Sequence, residues 1–382
     1  MMEDEVHSVV TNRRARFEYF VLETLEVGVV LRGTGTDADP AIYTIPTTLY
    51  LTRTGRIVLS RPPPAGGEDQ PPDNNIVLSF SAGDLVMDTG AVLNVGRRTR
   101  SGRKTAVLAL GGGNIKGTGR IAGILNNVST PRVLTIHSVR DVQLAAIDLH
   151  VENVNNGGRP FTLTASRRVE IGAIDNSDRD PMGNDAGDIS VKAESIAVGS
   201  LNAAACRTDG AAKNGDIRLT ALGAPWHNTL SAEANHSRNR LVLSGLLFTA
   251  GPATNHPGNA YLQGVVVELR PGFQARLAAG AKLAFDAGLY PNGVGARAAD
   301  LFVDRASSGL SASHVVAWSG ALGASLEILH GGEQVLLHWP DAEYHLQESA
   351  TLANPAGWED VVVSSPALRT VAPDARFYRL RR

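Results

Sequence analysis

The feature that most constrains the fold is a repeat of 27 residues in the middle of the chain. The segment Val142–Asp148 is followed by copies that begin at Val169 and at Ile196, and in each copy apolar residues alternate before an Asp or Asn. Alternation at period two predicts a β-strand, and self-similarity at a fixed period of about 20–50 residues is the signature of a solenoid. A β-sandwich also spaces its turns regularly, but its geometry does not require the same residue class at the same position of each repeat. The repeat therefore favours an all-β fold, a parallel β-helix (solenoid) with ~27-residue coils.

A second strand precedes each copy. Phe161 and Ile189 begin two of these strands, and Ile217 begins a fourth copy that is shifted by one residue relative to an exact period. A turn pair stands before several of these strands, because glycine supplies a positive φ at a corner and Asp or Asn tolerates it. The pairs that predict coil corners are Gly187-Asp188, Gly215-Asp216 and Gly258-Asn259.

The bulk properties of the chain argue against several classes of protein. Its 382 residues are enough for two or three domains, and 40 glycines with few aromatic residues suit a turn-rich β protein. The formal net charge of −2 gives no global bias towards nucleic acid or membrane. Cys206 is the only cysteine, which excludes an intrachain disulfide and a cysteine-rich metal site. No apolar run reaches the roughly 18 residues of a membrane span, so we expect no membrane span and, as written, no signal peptide.

Residues 5–34 differ in character from the rest of the chain. The run at 12–16 (NRRAR) leads into 23–31 (ETLEVGVVL), and the segment closes on Gly33-Thr34. This segment resembles the N-terminus of the SsrA-binding protein family, whose members bind tmRNA in trans-translation. The resemblance implies RNA binding, with tmRNA and the ribosome as partners in ribosome rescue. The residues that the resemblance assigns to RNA binding are Asn12, Arg13, Arg14, Arg16 and Glu26.

The resemblance ends after Thr34, where residues 35–40 (GTDADP) replace the continuation found in that family. The rest of the family's OB-type barrel is missing, together with the basic surface and tail that it uses on RNA and the ribosome. Phosphate contacts need a folded surface to hold the arginines. The segment is therefore predicted to be a truncated SsrA-binding-protein-like fragment that forms a strand or a frayed terminus, and tmRNA binding stays an alternative.

The remainder of the chain also carries resemblances. Residues 269–273 (LRPGF) are similar to an element near the end of β-rich bacterial secreted and surface proteins, and the strands around Trp339 and Trp358 are similar to a small β-sandwich module of exported bacterial proteins. These resemblances imply a surface or secreted location, whereas the N-terminal segment implies the cytoplasm, and both locations stay open. The predicted domains are a fragment at 1–34, a β-solenoid at 41–290, a linker or closing coil at 291–324 and a C-terminal β-sandwich at 325–382.

The repeat also selects one group of residues that can carry chemistry. Asp148, Asp175 and Asn202 occupy the same phase in successive coils, and stacked strands lie about 4.8 Å apart, so these residues are expected to form one column. That separation suits the carboxylate pair of a retaining glycosidase, which makes Asp148 and Asp175 the catalytic candidates for a polysaccharide lyase or hydrolase. It also suits Ca²⁺, and the acidic loop adds Asp178 and Asp180 to Asp175 as metal candidates.

Corner residues give a simpler explanation of the same column. Asp and Asn directly after a strand are ordinary turn residues, and like charges stacked without a cation repel each other. His227, His236 and His256 are spread through loops without the spacing of metal ligands. We therefore predict a non-catalytic surface or secreted interaction protein, with Ca²⁺ as the one cofactor candidate and a surface ligand or a polysaccharide as partner. The alternatives are tmRNA binding and a polysaccharide-active enzyme.

Overall fold

The structure, a computed structural model, is nearly all β. Most of the described strands lie in two large sheets, sheet A with 14 strands and sheet B with 11. The chain passes back and forth between the two sheets, and each strand of the central coils pairs in parallel with a strand of the coil before it. The body is therefore a β-solenoid, as the repeat predicts. The residues that the structure describes are 14–21, 30–32, 41–45, 48–58, 76–80, 83–95, 97–98, 107–123, 129–130, 133–152, 157–207, 211–251, 255–270, 272–287, 300–303, 315–319, 327–331, 334–338, 345–350, 358–361, 367–370 and 377–381.

The first coils vary in length. Their strands are β1 (Arg14–Val21), β2 (Val30–Arg32), β3 (Ala41–Ile45), β4 (Thr48–Val58), β5 (Ile76–Phe80), β6 (Leu85–Met87), β7 (Val92–Asn94), β8 (Arg97–Arg98), β9 (Val107–Gly111), β10 (Ile115–Gly117), β11 (Arg120–Ala122) and β12 (Ser129–Thr130). β1 pairs in parallel with β4 and so belongs to sheet A. β2 pairs antiparallel with β3 at the end of sheet B. Both described strands of the N-terminal segment therefore extend the sheets of the solenoid.

The central coils follow the period seen in the sequence. Their strands are β13 (Val133–Val139), β14 (Val142–Asp148), β15 (Phe161–Ala165), β16 (Arg168–Asp175), β17 (Ile189–Ala193), β18 (Ser195–Asn202) and β19 (Ile217–Ala221). In sheet A, Val142 lies opposite Val169, and Val169 lies opposite Ile196. In sheet B, Ile189 lies opposite Ile217, so the one-residue shift of the fourth copy is absorbed between the strands without loss of pairing.

An insertion after β19 ends the regular period. The elements that follow are α1 (Ala232–Ser237), β20 (Arg240–Leu243), β21 (Leu246–Thr249), β22 (Ala260–Gly264), β23 (Val266–Leu269), β24 (Gln274–Leu277), β25 (Leu283–Ala287), β26 (Asp300–Val303) and β27 (Val315–Ser319). β20 still pairs with β18, with Leu241 opposite Ile196. β26 and β27 continue sheets A and B, so the segment 291–324 contributes two more solenoid strands. Across the described ranges, no helix has the length and apolar character of a membrane span.

The C-terminal segment forms two small antiparallel sheets. Its strands are β28 (Glu327–Gly331), β29 (Gln334–His338), β30 (His345–Ser349), β31 (Glu359–Val361), β32 (Ala367–Thr370) and β33 (Phe377–Arg381). One sheet has the order β28-β29-β32 and the other has the order β31-β30-β33. Leu337 and Leu346, one from each sheet, are completely buried. Two three-stranded antiparallel sheets are the arrangement expected of the predicted β-sandwich.

Columns of apolar side chains fill the interior of the solenoid. In sheet B, Phe161 lies between Leu134 and Ile189 of the neighbouring strands, and all three side chains are 0% exposed. In sheet A, the residues opposite Ile147 and Ile174 are likewise buried. The parallel register brings the same apolar class to the same depth in each coil, which is why alternation in the sequence translates directly into a continuous core.

Two ladders of Asp and Asn side chains connect the corners of successive coils. In the first, Asp84 Oδ1 accepts a hydrogen bond from the backbone N–H of Asn114 at 2.9 Å, and Asn114 Oδ1 accepts one from Asp141 at 3.2 Å. In the second, Asp188 Oδ1 accepts from the N–H of Asp216, and Asp216 Oδ1 accepts from that of Asn259, both at 2.8 Å. Each side chain satisfies a backbone donor of the coil that follows it, so the corner residues predicted from the Gly-Asp and Gly-Asn pairs hold coils together.

Candidate functional site

The predicted column of polar residues lies at the ends of three neighbouring strands of sheet A. Asp148 ends β14 and lies opposite Asp175 at the end of β16, which in turn lies opposite Asn202 at the end of β18. The side chains of Asp148 and Asp175 are 27% and 18% exposed. Both carboxylates are therefore partly desolvated and close together, which requires something to offset their repulsion.

Two basic side chains of the protein offset that repulsion. Nδ1 of His150 hydrogen-bonds to Oδ1 of Asp148, and Nε2 of His150 lies 2.9 Å from Oε1 of Glu152. In the next coil, Arg179 donates from Nη2 to Oδ2 of Asp175 at 2.5 Å, and its Nη1 lies 4.0 Å from Oε1 of Glu152. The three carboxylates and two basic groups thus form one connected network, which we call the Asp148–Asp175 network.

The electrostatics of this network favour charged side chains. Burial raises the pKa of Asp148, but the hydrogen bond and the charge of His150 outweigh burial and leave the pKa below its usual value. The hydrogen bond to Asp148 raises the pKa of His150 above its usual value, against the opposing effect of burial. Asp175 is held in addition by Ser177, whose hydroxyl donates to Oδ1 at 2.6 Å. Asp148 therefore stays ionised at neutral pH, whereas the raised pKa of His150 favours its protonated form.

The network also brings together potential metal ligands. One ligand atom from each of Asp148, His150 and Asp175 lies within 4.8 Å of the other two, and within the described ranges this is the one trio of its kind. Its donor set is one imidazole nitrogen and two carboxylate oxygens. Such a set suits a divalent transition cation better than Ca²⁺, which takes six to eight oxygen ligands.

The other predicted metal candidates lie outside this trio. Asp178 is 1% exposed, and its two carboxylate oxygens accept hydrogen bonds from the backbone N–H groups of Asp180 and Asn184, at 2.9 and 2.5 Å. Burial, with the charges of Asp180 and Asp185 nearby, raises the pKa of Asp178 to about 6. Oδ1 of Asp180 accepts from the N–H of Met182 at 2.9 Å. These carboxylates shape the loop that follows β16 by binding its backbone.

The residues assigned to RNA by the N-terminal resemblance are only partly described. Arg14 and Arg16 lie on β1, opposite Thr48 and Tyr50 of β4. Asn12, Arg13 and Glu26 lie outside the described residues.

A second candidate site is a groove on the outer face of sheet A. It has a volume of about 300 Å³ and crosses β14, β16, β18 and the end of β20. Ala145, Gly172 and Gly199 form its floor, and the polar side chains along it are Thr118, Gln143, Glu170, Ser244 and Arg270. The groove therefore runs across the strands, along the direction in which the coils stack.

The glycines of the groove floor are required by the approach of neighbouring strands. A Cβ atom at Gly172 would lie 2.5 Å from the carbonyl oxygen of Ala145, and one at Gly199 would lie 2.1 Å from that of Gly172. Ala145 and Gly172 lie opposite each other but are not paired, although the residues on both sides of them are. In neighbouring coils the same position falls in the break between β10 and β11 and in the break between β20 and β21. The groove thus follows a line along which the residue pairing of β14, β16 and β18 is interrupted.

Sequence reasoning missed the basic partners of the column and the groove. His150 and Glu152 alternate with Asp148 in the run Asp-Leu-His-Val-Glu, and that alternation was a usable signal. Gly172 and Gly199 are themselves 27 residues apart, which also marked a shared position in the repeat. Comparison of the chain with models of protein families, with curated proteins and with solved structures finds no match.

Proposed function

We propose that the protein is a non-catalytic surface or secreted protein that binds an extended neutral polysaccharide along the groove of sheet A. The observation that carries this proposal is the groove itself, which continues over four stacked strands and has the volume of a ligand site. A solenoid repeats its surface at each coil, so it suits a ligand that repeats its own chemistry along its length.

The chemistry of the groove fits a sugar polymer. Gln143 and Glu170 lie opposite each other on β14 and β16, and both side chains are exposed. At the other end, Arg270 donates from Nε to Oε1 of Glu268 at 3.0 Å, which holds its guanidinium in place. Amide, carboxylate and guanidinium groups exchange hydrogen bonds with sugar hydroxyls, and the lining carries one acidic and one basic side chain. That balance favours a neutral polymer over an anionic one.

The geometry of the Asp148–Asp175 network argues against cleavage of the polysaccharide by a retaining glycosidase mechanism. A retaining glycosidase needs one protonated carboxyl group as general acid next to an ionised nucleophile. The pKa of Asp148 lies below its usual value, and Asp175 is held by both Arg179 and Ser177. A carboxylate whose pKa is lowered, as that of Asp148 is, is poorly suited to give a proton to a glycosidic oxygen.

The proposal predicts that filling the groove abolishes polysaccharide binding. Ala145 is exposed on the groove floor, so Ala145→Phe should block the groove while leaving the core unchanged. Glu170→Ala should weaken binding about tenfold, because a hydrogen bond to a charged group contributes about 1.5–3 kcal/mol. The measurement is the retardation of the full chain in native gels that contain soluble neutral glucans or xylans.

The matched control places the same phenyl group on the opposite sheet. Thr164 is exposed on β15 of sheet B, so Thr164→Phe should be retarded as strongly as the wild-type chain. Absence of retardation by every polymer, or equal retardation of Ala145→Phe and the wild type, would show that the groove does not bind such polymers. Release of new reducing ends by the wild-type protein would contradict the non-catalytic part of the proposal.

A further inference from the structure

The position of His150 has the form of a metal ligand with a supporting carboxylate. Its Nε2 lies 2.9 Å from Oε1 of Glu152, and its Nδ1 is directed at Asp148. Histidines that bind metals usually donate their other ring N–H to a carboxylate, which fixes the ring and its tautomer. Glu152 is that supporting carboxylate, and Nδ1 of His150 is left as the nitrogen directed towards Asp148 and Asp175.

We infer that Asp148, His150 and Asp175 bind one divalent transition cation, of the class of Zn²⁺. The three residues supply one nitrogen and two oxygen ligands within 4.8 Å of one another, and Zn²⁺ accepts His and Asp together with water. Because β14 and β16 are paired in register, Asp148 and Asp175 are brought together by the backbone itself. This inference is independent of the polysaccharide groove, which uses other residues of the same strands.

Two further side chains contact Asp175, and they have opposite effects on a bound cation. Ser177 donates to Oδ1 of Asp175 from both its hydroxyl, at 2.6 Å, and its backbone N–H, at 3.0 Å, and so orients that carboxylate. Arg179 binds Oδ2 of Asp175 at 2.5 Å and therefore competes with a cation for the same carboxylate. In the absence of a metal ion, Arg179 and His150 balance the charge of the two carboxylates, and the cation takes over that role when it binds.

The experiment titrates the chelator-treated full chain with Zn²⁺ by isothermal titration calorimetry. We expect saturable binding of one Zn²⁺ to this site and a loss of at least about tenfold in affinity for His150→Gln and for Asp175→Asn, which remove ligands. Glu152→Gln should weaken binding by about tenfold, since supporting residues typically contribute that much. Arg179→Gln should strengthen binding by about fivefold, because it removes a partly exposed competitor for Asp175.

The chain offers a matched control in a second His–Asp pair. Nε2 of His256 lies 2.7 Å from Oδ1 of Asp216, and this pair belongs to no trio of potential ligands within the described ranges. His256→Gln should therefore bind Zn²⁺ as the wild type does. Circular dichroism verifies that each variant is folded. If His150→Gln is unfolded, the Zn²⁺ affinity of Asp175→Asn serves as the test. Absence of saturable binding, or equal affinity of the wild type and a folded ligand variant, would overturn the inference.

Discussion

Replacing Phe161 with alanine is expected to lower the free energy of unfolding by about 4 kcal/mol, the typical cost of removing a buried phenyl ring. Phe161 is completely buried at the start of β15, between Leu134 and Ile189 of the adjacent coils. Because each coil packs only on its neighbours, the cavity would weaken two coil interfaces at once. The measurement is the urea concentration at the midpoint of unfolding, followed by tryptophan fluorescence.

The residue after Phe161 provides the control. Thr162 follows it on the same strand and points to the outer face of sheet B, where it is only partly buried. Thr162→Ala should change the free energy of unfolding by no more than about 0.5 kcal/mol. Similar midpoints for the two variants would mean that the column of apolar side chains does not carry the stability of the central coils.

The stability of the protein should also depend on the protonation of Asp178. Burial raises the pKa of this side chain from its ordinary value of 3.8 to about 6, so between these pH values the folded state binds more protons than the unfolded state. Stability contributed by the protonated group is present at low pH and is lost as the pH rises through about 6. Relative to Asp178→Asn, the wild type should lose about 3 kcal/mol between pH 4 and pH 8.

The comparison uses the difference between two pH profiles. Asn184 donates a backbone N–H to Oδ2 of Asp178, and the cost of losing that bond in Asp178→Asn is nearly constant with pH and cancels. Met182→Ala, an exposed and uncharged change in the same loop, should give a profile parallel to that of the wild type. Urea unfolding at several pH values provides the data, and parallel profiles for wild type and Asp178→Asn would contradict the raised pKa.

The central coils could be predicted because their geometry repeats in the sequence. Val142, Val169 and Ile196 share one register, and the period alone was enough to place Asp148 opposite Asp175. A parallel solenoid turns equal spacing along the chain into contact between coils, so no knowledge of the loops is needed for this part of the fold.

The insertion after β19 could not be predicted in this way. The chain leaves the period at residue 222 and rejoins sheet A at Arg240, after α1. Asn239 ties the two ends of the insertion together, since its Oδ1 accepts from the N–H of Ala224 at 2.9 Å and its Nδ2 donates to the carbonyl of the same residue. An insertion whose ends meet at one corner leaves the strand register unchanged, so a search for equal spacing overlooks it.

The sequence predicted where the backbone places the residues of the candidate site, but it did not predict which side chains contact them. The column of Asp148, Asp175 and Asn202 follows from register, but the contacts of His150 and Arg179 depend on how the loops after β14 and β16 fold. Repulsion between stacked carboxylates indicated that Ca²⁺, water or a splayed arrangement of the side chains would separate them. It did not indicate that the protein supplies basic side chains of its own.

The Asp and Asn ladders at the corners give the solenoid a direction. In each ladder the side-chain oxygen belongs to the earlier coil and the backbone N–H belongs to the later one, as in the bonds from Asp216 to Asp188 and from Asn259 to Asp216. A coil emerging from the ribosome thus carries an acceptor that is satisfied when the next coil is made. The chain is therefore suited to fold progressively during synthesis, with each new coil completing the corner of the one before it.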